Sequence, residues 1–450
     1  MWSEKFEQRV SAYITSQGLL NPGARVGVAL SGGADSVALL LCLYHLHFDI
    51  VALHCNFHLR DAESDHDETF CRQLCERLGM PLLVTQFNTK SYAREHGISI
   101  EMAARQQRYD FFSQMTDRHA LQAVCVAHHQ DDNIETMFIN MLRGTGLTGL
   151  TGMKGRTGDV VRPLLCVGRE DIEHYLHELG ESFVTDSSNL VADVLRNKVR
   201  LHLLPMLQQW NAGTRKCLLR TMTNLSYADS YLQQTLTSRA TQCKRGIDDD
   251  AVPTEEAWRV NVDDIDGELF LHHLLSPYGF RSSEVNDLYS KLHQDKPVRY
   301  LSPGYECVLW RGELFVWRRR QPFQPVILQP EQEHMALASG RHLKMAEQKW
   351  SQRQTIPTSP TMACMDKAKI AFPLTVRTLE TGDSFRPLGM KGSQLVSDFL
   401  TSHHATPYQR AHQCVVVDAH GNICWIVGWR IADTCRVTTT TTDVIFLEVE

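Results

Sequence analysis

The first 145 residues alternate between short apolar runs and longer segments in which apolar and polar positions mix. The short runs predict buried strands, and the longer segments predict helices with one apolar face. Strands that alternate with helices of this length form a parallel sheet covered by helices on both faces. We therefore expect an α/β amino-terminal domain with a doubly wound, Rossmann-like parallel sheet. The predicted strands cover residues 25–30, 50–57, 81–87 and 123–128, and the predicted helices cover residues 36–47, 65–78, 100–118 and 132–142.

After this α/β domain the pattern changes. Residues 168–240 have a helical pattern, and the chain beyond them mixes helices with short strands, which predicts smaller α+β domains. Residues 320–365 contain much Gln, Pro and Ser and few apolar runs, so we expect a linker or loop there. The predicted organisation is an α/β domain over 1–215, a helical linker over 216–256, a second domain over 257–320, a linker over 321–371 and a carboxyl-terminal domain over 372–450.

The composition is that of an ordinary globular protein, with 43% hydrophobic and 22% charged residues among 450. No apolar stretch reaches the roughly 20 residues that a membrane-spanning helix needs, and the first residues show no signal-peptide core. None of the 13 cysteines belongs to a C-x-x-C pair, which favours buried free thiols in a reducing compartment. We therefore expect a cytoplasmic protein without a membrane partner.

Charge is distributed unevenly along the chain. The formal net charge is −6, so the protein as a whole does not attract nucleic acid. Residues 185–220, however, contain six basic residues against two acidic ones. Such a segment is either a solvated helix face or a basic patch that binds RNA. The basic residues are Arg196, Lys198, Arg200, Arg215, Lys216 and Arg220.

A glycine-rich turn follows the first predicted strand, with the sequence Ser31-Gly32-Gly33-Ala34-Asp35-Ser36. Backbone N–H groups and the positive end of a helix dipole make such a turn suitable for phosphate. The turn lacks the lysine of a Walker motif. Asp35 would repel a phosphate unless Mg²⁺ lies between them, and the alternative is that Asp35 only caps the helix.

Two acidic residues follow the fourth predicted strand. Asp132 and Glu135 are three residues apart on a predicted helix and share a face, so they could hold Mg²⁺ or an amine. The alternative is an enrichment of acids at a helix N-terminus, which the helix dipole favours. Arg143 and three glycines after it form a basic loop that suits a phosphate or a lid.

Other candidate residues are basic or can bind metal. Arg105 and Arg108 share a helix face, which is either plain surface or a guanidinium site for phosphate or a charged intermediate. His54 and His58 are four residues apart but lack a third ligand at suitable spacing for a metal. The polar clusters at residues 31–36, 54–60 and 128–132 all follow strands. Because ligands bind at the carboxyl ends of parallel strands, we expect these clusters to meet in one cleft.

The sequence S-G-G-x-D-S at a first strand–helix turn resembles the pyrophosphate loop of the N-type ATP pyrophosphatases. These enzymes cleave ATP between the α- and β-phosphates, adenylate a carbonyl-type oxygen and release pyrophosphate. Further motifs, in the same order along the chain, resemble the tRNA(Ile)-lysidine synthetase family. The resemblance is dense over residues 25–210 and looser over 257–320 and 372–450, where the family has two accessory tRNA-binding domains. The motifs are His54…His58-Leu59-Arg60, Glu101-x-Ala-x-Arg105-x-x-Arg108-Tyr109, Ala127-His128-His129-x-x-Asp132-x-x-Glu135-Thr136, Arg143-Gly144-x-Gly146-x-x-Gly149-Leu150, Arg162-Pro163-Leu164, Asp186-x-Ser188-Asn189…Arg196-Asn197-x-x-Arg200 and the stretch 380–392.

The resemblance implies a reaction in which ATP adenylates the 2-oxygen of the wobble cytidine of a CAU-anticodon isoleucine tRNA. Free L-lysine then displaces AMP to give lysidine. It implies ATP and Mg²⁺ as cosubstrate and ion, and it suggests a homodimer. By the same resemblance Ser31, Gly32, Gly33, Ala34 and Ser36 would hold pyrophosphate and Asp35 would bind Mg²⁺. The residues implied in catalysis are Arg108, Asp132, Glu135 and Arg200, and those implied in binding tRNA or lysine are His128, Arg143 and Arg196.

Three other functions share parts of this pattern. A tRNA 2-thiolation enzyme adenylates a base on the same loop, but many such enzymes need paired cysteines, which this chain lacks. A GMP-synthetase-like amination lacks a recognisable glutaminase half. A catalytically idle tRNA-binding protein would not need the intact set of acids and arginines.

Overall fold

The computed structural model describes residues 2–59, 62–184, 195–248, 253–328, 335–351 and 354–449. Arg60 and the motif at residues 186–189 lie outside these ranges. The described chain divides into two compact units, residues 1–233 and 234–450. In the described part of the chain no helix is both long and apolar enough to cross a membrane.

The helices and strands are numbered here in chain order. The helices are α1 (Trp2–Ser16), α2 (Ala34–His45), α3 (Ala62–Leu78), α4 (Thr89–His96), α5 (Ile100–His119), α6 (Gln130–Leu142), α7 (Leu147–Leu150), α8 (Arg169–Leu179), α9 (Leu195–Lys198), α10 (Leu204–Trp210), α11 (Thr214–Cys243), α12 (Glu268–Leu275), α13 (Ser282–Lys291), α14 (Val396–Ser402) and α15 (Pro407–Ala411). The strands are β1 (Arg25–Ala29), β2 (Asp49–Asn56), β3 (Leu82–Gln86), β4 (Val124–Cys125), β5 (Arg156–Thr157), β6 (Val160–Val161), β7 (Ala257–Asn261), β8 (Val298–Leu301), β9 (Tyr305–Trp310), β10 (Glu313–Arg318), β11 (Val326–Ile327), β12 (Met335–Ala336), β13 (His342–Lys349), β14 (Met362–Asp366), β15 (Thr375–Thr378), β16 (Ser384–Phe385), β17 (Gln394–Leu395), β18 (Cys414–Val417), β19 (Ile423–Ile426), β20 (Arg430–Ile431) and β21 (Asp443–Val449).

The sheet of the first unit has the order β3-β2-β1-β4-β6-β5. Every neighbouring pair in it is parallel except β5 with β6, which confirms the predicted doubly wound fold. One face is covered by α2, whose residues 36–43 are all buried, together with α1, α3 and α8. The other face packs against Phe111, Phe112 and Met115 of α5. The order reverses between β1 and β4, and at this switch point a doubly wound sheet opens a crevice for ligands.

The second unit is built mainly from antiparallel sheets. One has the order β7-β10-β9-β8, and α12 and α13 belong to the same part of the chain. Two further sheets have the orders β11-β15-β18-β19-β20 and β12-β13-β21-β14. They share an apolar core that includes Trp425, Phe399 and Ile445.

The prediction of loop over residues 320–365 is wrong in part. Strand β13 pairs with β21 from Leu343↔Val449 to Lys349↔Asp443, and β14 pairs with the same strand. The sequence of β13, HLKMAEQK, is polar because most of its side chains are exposed and only Leu343 and Met345 are buried. Its partner lies about a hundred residues away in the sequence, so no local turn signal marks the pairing. The proposed domain edges themselves stay a prediction.

Within the helical region predicted over residues 168–240, the helix from Leu195 to Trp210 has an irregular centre. A π-helical turn, Val199–Leu203, separates α9 from α10. Val199 and Leu204 both pack in the apolar cluster that contains Ile134 and Met137 of α6. In a regular α-helix, residues five apart point about 140° away from each other, so the wider turn is what lets both face α6.

Candidate active site

A cavity of about 440 Å³ opens at the carboxyl edge of the first sheet. Its walls are the segments that follow β1, β2 and β4, as expected for the three polar clusters. We refer to it as the active-site cavity. Seven of the predicted site residues line it, namely Ser31, Gly33, Asp35, Ser36, Arg108, His128 and Asp132.

The glycine loop connects β1 to α2 and is braced by its own serines. The Ser36 hydroxyl donates to the Gly33 carbonyl at 2.9 Å and accepts from the Ser31 N–H at 3.1 Å. Gly32 has φ +89, a left-handed conformation that favours glycine. Gly33 is the N-cap of α2, and no side chain caps that helix in the described structure. The first N–H groups of α2 therefore have no partner within the helix and can bind an anion.

Asp35, predicted to bind Mg²⁺, contacts two basic side chains. Arg169 Nη1 lies 2.7 Å from each of its carboxylate oxygens, and His129 Nε2 lies 3.7 Å from Oδ1. Burial raises the pKa of Asp35, and the charges of His129 and Arg169 oppose that rise. The side chain is about a third exposed, toward the cavity. Asp35 is thus a carboxylate beside a site suited to anions, and in this structure the side chains of Arg169 and His129 are its partners.

Asp132 builds the first turn of α6 together with His129. The Asp132 Oδ2 accepts from the His129 N–H at 3.1 Å, and His129 Nδ1 accepts from the Asp131 N–H at 3.3 Å. His129 is buried among Asp131, Asp132 and Asp35. Burial alone would lower the pKa of His129, but these carboxylates raise it above its usual value. His129 therefore lies at the centre of the acids of this turn, whose charges favour the charged form of its ring.

Glu135, although predicted to share a face with Asp132, does not line the cavity. Its side chain has 0% exposure. Arg200 Nε donates to Oε1 at 2.6 Å, and Arg196 Nε lies 3.4 Å from Oε2. Burial raises the pKa of Glu135, and the hydrogen bond from Arg200 offsets part of that rise. In this structure Glu135 contacts both Arg200, expected in catalysis, and Arg196, expected to bind tRNA or lysine, and Arg200 Nη2 also lies 3.4 Å from Asp132 Oδ1.

His128 lines the cavity as a neutral ring. Arg162 Nε donates to its Nδ1 at 3.3 Å. Burial lowers the pKa of His128 to about 4; the charge of Asp132 opposes this, and that of Arg162 adds to it. At neutral pH the ring therefore adds no positive charge to the cavity.

The predicted arginines lie in different places. Arg108 lines the cavity, with its guanidinium 5.3 Å from the centre of the Phe57 ring. Arg105 lies over Tyr109 instead and does not line the cavity. Arg143 is the exposed C-cap of α6 and is likewise absent from the cavity wall.

His54 lies in β2 and His58 follows that strand, and neither belongs to a metal-binding group among the described residues. The Nδ1 of His54 is 2.8 Å from the Leu30 carbonyl oxygen, so it donates to that oxygen and ties β2 to the glycine loop. Within the described ranges no group of three His, Cys, Asp or Glu side chains is placed to hold a metal ion. A cation at Asp35 would therefore need further ligands from a substrate.

Arg169, Asp131 and Arg162 belong to the site but were not predicted. Asp131 accepts from the Arg169 N–H at 2.9 Å and forms an ion pair with Arg215 at 3.0 Å. Arg162 lies in the Arg-Pro-Leu motif, which was a usable signal. Arg169 begins a helix of ordinary pattern far along the chain, so nothing local marks it.

Comparison with known proteins identifies relatives of this chain. The PP-loop domain family matches residues 2–207. A protein of Bacteroides thetaiotaomicron named tRNA(Ile)-lysidine synthase is 37% identical over 98% of this chain and 99% of its own length. Proteins of the same name are 35% identical in Parabacteroides distasonis, over 97% and 98%, and 29% identical in Bacillus subtilis, over 93% and 92%. Among solved structures, the U34-tRNA thiolase NcsA of Methanococcus maripaludis is a distant likeness, with a TM-score of 0.42 and 15% identity over 50% of this chain and 78% of that chain.

The sequence identity extends through both units and over almost the whole length of each relative. This chain belongs to the tRNA(Ile)-lysidine synthase family.

Proposed function

We propose that this protein is an ATP-dependent ligase that joins free L-lysine to the 2-position of the wobble cytidine of a CAU-anticodon isoleucine tRNA. The observation that carries the proposal is that one cavity is lined by the glycine loop, by Asp35 and Asp132, and by Arg108. An anion site, two carboxylates and a guanidinium are the groups that adenylation followed by amine attack requires.

In the first step the 2-oxygen of the cytidine attacks the α-phosphorus of ATP. The bond between that phosphorus and the bridging oxygen breaks, and pyrophosphate leaves. The uncapped N–H groups of the glycine loop and of α2 bind the pyrophosphate. Arg108, which lines the same cavity, stabilises the charge of the adenylated base.

Mg²⁺ fits this site because it is commonly bound by one or two carboxylates together with substrate phosphates. Asp35 and Asp132 would hold it, since both line the cavity beside the loop. Once bound, the ion would neutralise charge that develops on the leaving pyrophosphate. Arg169 contacts both carboxylate oxygens of Asp35 in this structure, so its side chain would have to move away before Mg²⁺ could bind them.

In the second step the ε-nitrogen of lysine attacks C2 of the base. The C2–O bond breaks, AMP leaves with that oxygen, and the nitrogen loses protons as the new C–N bond forms. Asp132 attracts the incoming ammonium and accepts a proton from it. The neutral His128 ring places no positive charge against the ammonium.

The thiolation alternative lacks a suitable sulfur in the cavity. Cys55 is the cysteine that lines it among the described residues, and burial raises the pKa of that thiol to about 12. A thiol that stays protonated is a poor nucleophile. Nothing else in the cavity wall favours sulfur chemistry over amine attack.

Incorporation of labelled lysine into tRNA tests the proposal. The reaction contains ATP and Mg²⁺ with isoleucine and methionine CAU transcripts in parallel. Label on the isoleucine transcript alone is expected, and the shared anticodon makes the methionine transcript the control for selectivity. ATP turnover that depends on tRNA without lysine label would overturn the proposal and point to another nucleophile.

Three further points belong to the same proposal. The protein acts in the cytoplasm, it forms a homodimer, and its accessory domains at residues 257–320 and 372–450 bind tRNA. Sedimentation of the purified chain tests the dimer, and binding of labelled tRNA after deletion of residues 321–450, which removes whole sheets, tests the last domain. A monomer at working concentration, or unchanged affinity after the deletion, would contradict the respective point.

A further inference from the structure

Helix α11 carries a stripe of basic and aromatic side chains on its solvent face. Lys216, Arg220, Tyr227 and Tyr231 are spaced by four, seven and four residues, so they lie on one side of the helix within about 60°. We call these four residues the α11 stripe. With a rise of about 1.5 Å per residue, the stripe is about 22 Å long.

The stripe is exposed, and the opposite face of the helix is packed. Tyr227 is 71% exposed and Tyr231 is 75% exposed, although two large rings on one helix face would normally be covered. On the other side Met222 is buried in a core cluster, and the buried Asp229 accepts from Thr148 at 2.9 Å. The orientation of α11 is therefore set by its packed face.

The charge of the stripe is positive. Between residues 214 and 233 the one acidic residue in the sequence is Asp229, and it lies on the packed face. Lys216 and Arg220 are exposed on the stripe. Two cations followed by two exposed rings match a polyanion that has aromatic bases, which is single-stranded RNA.

The stripe begins beside the active site. Arg215, one residue before Lys216, pairs with Asp131 in the first turn of α6 at 3.0 Å. Asp131 is adjacent to Asp132, which lines the active-site cavity. A strand whose base enters that cavity would therefore meet the start of α11.

We propose that the α11 stripe binds the unpaired nucleotides of the tRNA strand next to the modified cytidine, with phosphates on Lys216 and Arg220 and bases stacked on Tyr227 and Tyr231. This inference rests on the proposed function and extends it to a binding surface. The rings recognise bases by stacking and not by hydrogen bonds, so this surface supplies affinity and leaves the choice of tRNA to other contacts.

The test measures lysine incorporation and tRNA affinity in variants of the full chain. Y227A/Y231A is expected to raise the KM for tRNA about 10-fold to 100-fold with little change in kcat. Y227F/Y231F is expected to restore wild-type values, because stacking needs the ring and not the hydroxyl. K216A/R220A is expected to weaken binding and to make the slope of log Kd against log salt shallower by roughly 1 to 2.

The matched controls are Tyr44→Ala and Lys90→Ala, exposed residues of the same types in the first unit, and they are expected to leave the KM unchanged. Thermal unfolding of each variant confirms that the fold is retained. Unchanged KM in Y227A/Y231A, or a phenylalanine variant as weak as the alanine one, would overturn the inference. If the stripe variants change sedimentation but not tRNA affinity, the face contacts a second copy of the chain and the inference is likewise wrong. Failure of the wild-type protein to incorporate lysine would instead overturn the proposed function.

Discussion

Arg200 Nε donates to Glu135 Oε1 at 2.6 Å, and the Glu135 side chain has 0% exposure. Replacing Glu135 with Gln would remove the nearer of the two carboxylates at Arg200, whose Nη2 also lies 3.4 Å from Asp132 Oδ1. We expect E135Q to lower the free energy of unfolding by about 2 kcal/mol, less than for a fully buried pair because Arg200 is a third exposed. Urea unfolding of E135Q, R200Q and the double variant measures the coupling. Additive effects within about 0.5 kcal/mol would show that the pair does not act as a unit.

Asp132 caps the start of α6 and also carries a negative charge. Substitution by Asn keeps the cap and removes the charge. The Asn side-chain oxygen can still accept from the His129 N–H, so D132N should keep the stability of α6 within about 1 kcal/mol. The lost charge should reduce kcat for lysine incorporation by about 10² or more while ATP still binds. Steady-state kinetics measure the expected fall in kcat, and equilibrium binding measures whether ATP affinity is kept. Full turnover in D132N would contradict the role proposed for Asp132.

Gly32 and Gly79 form a matched pair for testing the glycine loop. Both have positive φ, +89 and +69, and neither position has an atom closer than 3.4 Å to an added Cβ. Alanine at either should cost about 1–2 kcal/mol of stability through backbone strain. Only G32A should also weaken ATP binding, by about 10-fold or more. Its backbone strain would be relieved by a shift of the glycine loop, which is proposed to bind the phosphates. Equal ATP affinity in G32A and G79A would show that the loop does not hold the phosphates.

His128 makes stability depend on pH. Its pKa falls from the ordinary 6.5 to about 4 in the folded chain. Since the folded value lies below the unfolded one, the stabilising contribution is complete above about pH 6.5 and is lost as the pH falls toward 4. Between those values the wild type should lose up to about 1.4 kcal/mol per pH unit relative to His128→Asn. Urea unfolding of both proteins at pH 7, 6 and 5 gives this difference, and a constant difference would contradict the lowered pKa.

The parts of the fold that were predictable are those where local pattern and burial agree. The run that becomes α2 is apolar almost throughout because the helix is buried on all sides, and the glycines before it mark the turn. Strand β13 was missed because its exposed side chains leave no apolar run.

The site was predictable as a set of residues but not as a set of contacts. Asp35 and Asp132 meet in one cavity because each follows a strand end, and Arg108 reaches the same cavity from the middle of α5. Arg169 pairs with Asp35 across 134 residues, and Arg200 pairs with Glu135 across 65, so neither contact has a local signal. Arg196 was expected to bind tRNA or lysine and Arg200 to act in catalysis, but both contact the buried Glu135.

The π-helical turn Val199–Leu203 has a consequence for insertions and deletions. A turn of this kind absorbs one extra residue while the helix on either side keeps its facing. Deleting one of residues 201–203 would restore a regular helix and keep both Arg200 and α10 directed toward α6. Loss of a single codon there would therefore spare both the scaffold and the ion pair with Glu135.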